Sequence, residues 1–152
     1  MTRKMYENEH SLANEAAFKA RYEEHFHHKL KKMPIKYHID YAVLRSNENY
    51  REFEIVGFIE FRKRTVNRLD FPTYMISLLK FQTSKKLYED TGKDTLLWIE
   101  WKDTSGWCVL NSVPFDLRWN DVTNRNDEQD KEPVIHIPIK EFKRSKWEPS
   151  KF

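Results

Sequence analysis

Two acidic residues, Asp40 and Glu60, stand in otherwise apolar stretches of the sequence. Residues 39–44 and 53–61 around them are rich in β-branched and aromatic side chains, so both stretches predict β-strands. An ionised carboxylate is costly to bury unless it is paired or bound to a metal. The fold must therefore supply partners for these two side chains. Mg²⁺ is one such partner, because it takes oxygen ligands and keeps several waters.

The residues after Glu60 place a basic side chain beside the acids. Side chains alternate along a strand, so Glu60 and Arg62 share one face, while Phe61 and Lys63 share the other. If the two predicted strands are neighbours, Asp40, Glu60 and Arg62 meet in one site. A basic cluster follows directly and contains Arg62, Lys63, Arg64 and Arg68.

The remaining pattern predicts an α/β protein with a mixed central β-sheet flanked by helices. Helical spacing predicts helices over residues 12–32 and 74–91, with Gly92 ending the second. A third strand is predicted over 95–101, with 107–111 as its hairpin partner. Residues 133–138 are bracketed by prolines, which predicts a short strand at a sheet edge.

The chain length fits one domain, since it has 152 residues. We expect a flexible N-terminus over 1–10, a single domain over 11–142 and a basic C-terminal tail over 143–152. The polar stretch 121–131 predicts a mobile loop. No apolar run approaches the length of a membrane span and the first residues lack an apolar signal region, so we expect a cytoplasmic protein with no membrane contact.

Composition excludes several kinds of site. The single cysteine, Cys108, excludes an intrachain disulfide and a cysteine zinc cluster. With 3 glycines in the chain, a glycine-rich phosphate loop is excluded as well. The net charge of +3 permits nucleic-acid binding without requiring it.

Asp40, a spacer of 19 residues and the triplet Glu60-Phe61-Arg62 resemble the pattern of the PD-(D/E)XK nuclease superfamily. In that family an acid on one strand is followed by an acid-x-lysine triplet on the next. The order of predicted elements also fits, and residues 59–101 resemble small phage-type members. The resemblance spans about residues 36–142.

The resemblance implies a restriction-endonuclease-like αβββαβ core with C-terminal hairpin additions. It further implies a metal-dependent DNA endonuclease or exonuclease that acts on Holliday junctions or DNA ends. Mg²⁺ or Mn²⁺ would be held by Asp40, Glu60 and the backbone carbonyl of Phe61. The implied catalytic residues are Asp40, Glu60, Arg62 and Lys80, and the DNA contacts are Arg62, Lys63, Arg64 and Arg68.

The sequence departs from the family at Arg62, which stands where the triplet has lysine. Arginine grips a phosphate through its fork of donors but stays protonated and cannot act as a base. Lys80 on the second predicted helix is a substitute, because some members of the superfamily carry the lysine there. Glu15 or Glu23 on the first helix could serve as an outer acid, and the sequence does not select between them.

Arg62 also supports a second hypothesis. The chain could be a catalytically decayed nuclease fold that acts as a DNA-binding, inhibitory or virion-associated protein. Its location would then be the host cytoplasm or the virion. Both hypotheses leave open whether the chain forms a homodimer or binds a further protein partner.

Overall fold

The computed structural model describes residues 9–46, 53–121 and 131–145. Within these ranges the chain forms two helices, α1 (Glu9–Phe26) and α2 (Leu78–Thr91). The strands, in chain order, are β1 (Lys29–Lys32), β2 (Tyr41–Ser46), β3 (Phe53–Lys63), β4 (Thr73–Ser77), β5 (Thr95–Glu100), β6 (Ser105–Val109), β7 (Asp116–Asn120), β8 (Glu132–Pro138) and β9 (Lys143–Ser145). No helix in this part of the chain is long and apolar enough to span a membrane.

The larger sheet has the strand order β1-β2-β3-β5-β6-β9, and a smaller sheet has the order β4-β8-β7. In the larger sheet β3 and β5 run parallel, whereas the other neighbours are antiparallel. Parallel neighbours need a crossover connection, and β4 with α2 provides it. The α/β class and the mixed sheet are thus confirmed, with helix, three strands, helix and strand in the expected order and β4 inserted before α2.

The two faces of the larger sheet are covered by different layers. On one face α1 packs Phe18 and Tyr22 against Phe61 and Trp98. On the other face Leu97, Ile99 and Trp101 pack against the smaller sheet, which contributes Tyr74, Ile76, Ile135 and Ile137. Aromatic side chains remove a large apolar area from water, so these two layers hold the strands that carry the site.

The first predicted helix was too long. It ends at Phe26, where His27 takes a left-handed φ of 57°, and residues 29–32 form β1 instead. Leu30 is buried between exposed lysines and pairs with Val43 of β2. Residues 29–32 form a strand because hydrogen bonds to β2 satisfy their backbone groups. From sequence spacing alone, the same four residues resemble the end of a helix.

The second predicted helix began too early. Residues 73–77 form β4, in which alternate side chains Tyr74 and Ile76 are buried. Helix α2 begins at Leu78, and Ser77 caps it by accepting a hydrogen bond from the Leu79 N–H at 3.2 Å. The predicted end is confirmed, since Gly92 follows Thr91 with a left-handed φ of 71°.

The strand predicted over 133–138 is present, but its predicted place at a sheet edge is wrong. It lies in the middle of the smaller sheet as β8. Among the residues that the structure describes, Pro133 pairs with Trp119 of β7 alone, and Pro138 pairs with Thr73 of β4 alone. Each proline therefore has a neighbour on one side alone, which makes its missing N–H tolerable in a central strand.

Residues 143–145, expected in the basic tail, form β9 beside β6. The rest of that tail, the first eight residues of the predicted flexible N-terminus and nearly all of the predicted loop over 121–131 lie outside the described residues.

Candidate metal centre and its basic neighbours

Strand pairing brings the two acids together. In the antiparallel pair β2–β3, Tyr41 lies opposite Ile59, which puts Asp40 beside Glu60. The Asp40 N–H donates to Glu60 Oε1 at 3.2 Å, and the Phe61 N–H donates to Asp40 Oδ2 at 2.9 Å. Each carboxylate thus accepts a backbone N–H from the other segment. Asp40 and Glu60 converge because these two hydrogen bonds fix both side chains.

Glu60 is fully buried and contacts two cations. Arg62 Nη2 and Lys80 Nζ each lie 2.9 Å from Glu60 Oε2. Lys80 reaches the site from the first turn of α2, and its Nζ also donates to the His38 carbonyl at 2.6 Å. A buried carboxylate is tolerated only when such partners surround it.

The guanidinium of Arg62 contacts three oxygens at once. Its Nη1 donates to the Phe61 carbonyl at 2.8 Å and lies 3.4 Å from Asp40 Oδ2, while its Nη2 donates to Glu60 Oε2. These are the three groups from which the sequence predicts metal ligands. One protein cation therefore lies among the oxygens that a divalent ion would use.

The network continues to α1 through a lysine that the sequence did not single out. Lys32 Nζ lies 3.1 Å from both carboxylate oxygens of Glu15 and 3.6 Å from Asp40 Oδ1. Of the two helix acids named from the sequence, Glu15 thus lies beside this network, whereas Glu23 accepts the Leu30 N–H. Side-chain alternation in β1 would have predicted the direction of the Lys32 side chain, but the sequence pattern at residue 32 is typical of the end of a helix.

The two acids have different proton affinities. Burial would raise the pKa of Asp40, but the Arg62 guanidinium, a hydrogen bond with Glu60 and the Phe61 N–H together hold it below its usual value. Burial raises the pKa of Glu60 to about 7, against the opposing effect of Arg62. Near neutral pH Asp40 is ionised and Glu60 is poised to exchange a proton.

The donor set fits a hard divalent cation. Two carboxylates and a backbone carbonyl are oxygen ligands of the kind that Mg²⁺ takes while it keeps several waters. Within the described ranges no group of three or more His, Cys, Asp or Glu side chains is arranged to hold a metal. The protein would thus supply few side-chain ligands, and the ion would need the place that the Arg62 guanidinium takes.

The other basic residues predicted to contact DNA lie at the end of β3 and in the segment that follows it. Exposed Lys63 and half-buried Arg64 line a cleft of about 740 Å³ beyond the end of β3. Arg21 and Lys102 line it as well, and the sequence did not point to either. The cleft also carries the acid Glu100, whose pKa is raised by burial.

Arg64 and Arg68 also make packing contacts. The Arg64 guanidinium lies 5.7 Å from the Phe71 ring centre and 5.6 Å from that of Tyr74. Arg68 Nη2 donates to the Ile139 carbonyl at 3.2 Å. The structure brings Arg62 and Lys80 into contact with the acids, whereas Lys63 and Arg64 line the cleft and Arg68 contacts a main-chain carbonyl.

A protein-family model described as "Phage putative PDDEXK endonuclease" matches residues 1–145. The match includes both acids, Arg62 and Lys80. A search of the curated proteins finds no match.

Proposed function

The chain belongs to the phage PD-(D/E)XK endonuclease family, and on that premise we propose that it is a metal-dependent phosphodiesterase that cleaves DNA. The observation that carries the proposal is the convergence of Asp40, Glu60 and the Phe61 carbonyl on one cationic group. Three oxygens with a shared cation position are what a hard divalent ion requires of a protein.

Asp40, Glu60 and the Phe61 carbonyl would hold Mg²⁺ or Mn²⁺. When bound, the ion supplies an activated water and stabilises charge on the scissile phosphate. Asp40 is already ionised at neutral pH, and ligation requires that Glu60 lose its proton. The pKa of about 7 for Glu60 makes that loss accessible under physiological conditions.

Lys80 takes the part of the family's triplet lysine in this proposal. Its Nζ lies 2.9 Å from Glu60 Oε2, which puts an ammonium group beside a carboxylate that would hold the ion. Arg62 stays protonated and cannot act as a base, so the part of the motif lysine falls to Lys80. Arg62 would instead contact a phosphate oxygen through its fork.

The basic side chains beyond β3 give DNA a path away from the acids. Lys63 follows Glu60 by three residues, a distance of about 10 Å along a strand. The cleft that it lines with Arg21, Arg64 and Lys102 would neutralise neighbouring phosphates, which dominate nonspecific affinity. Arg68 is the least suited of the predicted contacts, since it already donates to main-chain carbonyls. Holliday junctions and DNA ends are the substrates to test.

The contacts of Arg62 favour one alternative function. This guanidinium pairs with both Asp40 and Glu60, so a protein cation compensates the charge of the two carboxylates. A catalytically decayed protein that binds DNA, inhibits a partner or enters the virion would have that property.

A cleavage assay separates the two functions. We expect the protein to cut DNA in Mn²⁺, and Asp40→Asn and Glu60→Gln to lose this activity with their circular dichroism spectra unchanged. Asp90→Asn on the exposed side of α2 is the matched control and should retain activity. Unchanged cleavage by both site variants would refute the assignment. A wild-type protein that binds DNA, with neither cleavage nor a Mn²⁺-dependent change in melting temperature, would establish the alternative.

A further inference from the structure

We infer that Arg62 competes with the metal for its ligands, so that a DNA phosphate must draw the guanidinium away before the ion binds well. The inference rests on the proposed function and adds to it a coupling between DNA binding and metal binding. It makes the site weak for metal in the free protein and stronger in the DNA complex.

The geometry puts the two cations in competition for the same oxygens. The guanidinium nitrogens lie 2.8 Å from the Phe61 carbonyl and 2.9 Å from Glu60 Oε2. A Mg²⁺ ion bound to the same oxygens would stand at about 2.1 Å from each of them. The guanidinium uses lone pairs of these oxygens and repels a second positive charge, so the ion binds less well while Arg62 keeps its contacts.

Arg62 is the more exposed of the two cations that contact Glu60. Its side chain is 35% exposed, whereas that of Lys80 is 18% exposed and that of Glu60 is fully buried. Arginine stays protonated, so it leaves the carboxylates as a cation and needs a new anion. A phosphate accepts the same fork of N–H donors that the carboxylates accept.

Thermodynamic linkage then relates the effect of DNA on metal affinity to the effect of metal on DNA affinity. If phosphate draws Arg62 away from the oxygens, DNA raises the affinity for metal, and metal must raise the affinity for DNA by the same factor. Couplings of this kind are typically about 5- to 150-fold.

The experiment titrates Mn²⁺ by calorimetry into the wild-type protein, Arg62→Gln and Lys32→Met. We expect Arg62→Gln to bind Mn²⁺ at least about tenfold more tightly than the wild type. Lys32→Met also removes a positive charge beside Asp40 but leaves the contacts of Arg62 with Glu60 and Phe61 in place, so its gain should be smaller. Arg62→Lys keeps the charge without the fork and should lie in between, which covers the case in which the glutamine variant does not fold.

The second arm adds a short phosphorothioate DNA duplex, which resists cleavage. It should tighten Mn²⁺ binding by the wild-type protein and by Lys32→Met, and have little effect on Arg62→Gln. Equal Mn²⁺ affinities for wild type and Arg62→Gln, or a wild type that DNA does not affect, would overturn the competition. If neither the wild type nor any of these variants binds Mn²⁺, with or without DNA, the proposed metal-dependent function is itself refuted. Mn²⁺ binding that Glu60→Gln abolishes but Arg62→Gln leaves unaltered keeps that function and rejects only the competition.

Discussion

Replacing Lys80 with methionine removes one of the two cations that contact Glu60. Lys80 Nζ lies 2.9 Å from Glu60 Oε2 and 2.6 Å from the His38 carbonyl, and only 18% of its side chain is exposed. Methionine keeps a long apolar stem, so the packing of α2 should persist. The variant therefore isolates the role of the charge.

The loss of stability in Lys80→Met should depend on pH. Burial raises the pKa of Glu60 to about 7, well above the usual value of a glutamate carboxyl. A carboxyl with a raised folded-state pKa stabilises the fold fully below its unfolded pKa, and this contribution is lost as the pH rises through the folded value. Removing a cation raises that pKa further, so the stability of Lys80→Met should fall more steeply with pH than that of the wild type.

The magnitude follows from the contacts that are lost. A hydrogen bond to a charged group contributes about 1.5–3 kcal/mol, and Arg62 still contacts Glu60 in the variant. At a pH of about 8, where Glu60 is mostly ionised, the bonds to Glu60 and His38 are both lost, and we expect the free energy of unfolding to drop by about 3 kcal/mol. At a pH of about 6, where folded Glu60 holds a proton, the drop should shrink to about 1 kcal/mol, the contribution of the bond to His38.

Urea unfolding followed by tryptophan fluorescence measures both values. Lys86→Met is the matched control on the same helix, since Lys86 is 77% exposed and forms an exposed i,i+4 ion pair with Asp90. It should cost less than about 0.5 kcal/mol at either pH. A Lys80→Met cost that is the same at both pH values, or no larger than the control, would refute the assignment of Lys80 to the buried site.

Three further predictions concern other parts of the chain. Lys63→Ala should make the dependence of DNA affinity on salt, measured by fluorescence anisotropy, shallower by about 0.9 in logarithmic slope, and an unchanged slope would contradict a role for the cleft. Gly92→Ala should lower the free energy of unfolding by about 1 kcal/mol, because a left-handed φ is costly for alanine; an unaltered thermal midpoint would argue against this helix end. Burial raises the pKa of the Cys108 thiol, so a thiol reagent should react with it only as urea unfolds the protein, and fast labelling of the native protein would contradict its buried position.

The meeting of the acids could be predicted because it follows from local patterns. Strand alternation puts Glu60 and Arg62 on one face, and their side chains do touch, at 2.9 Å. Asp40 precedes the strand that pairs with β3, so one antiparallel register suffices to bring it to Glu60. The position of Lys80 could be proposed only through the family resemblance, since nothing in helical spacing points it toward Glu60.

The rest depended on contacts between distant parts of the chain. Residues 29–32 form a strand because β2 pairs with them, and without that pairing their lysines are typical of a helix end. Lys32 was therefore missed as the link between Glu15 and Asp40. β8 is central in its sheet although it is bracketed by prolines, because β4 and β7 leave one side of each proline without a neighbour.

Anomalous diffraction from crystals of the protein with Mn²⁺ and a phosphorothioate DNA duplex would test the shared cation position most directly. The account predicts one manganese peak among the carboxylates of Asp40 and Glu60 and the carbonyl of Phe61, with the Arg62 guanidinium turned to a DNA phosphate. Manganese that binds elsewhere, or DNA bound while Arg62 keeps its contacts with both acids and no manganese enters, would contradict it.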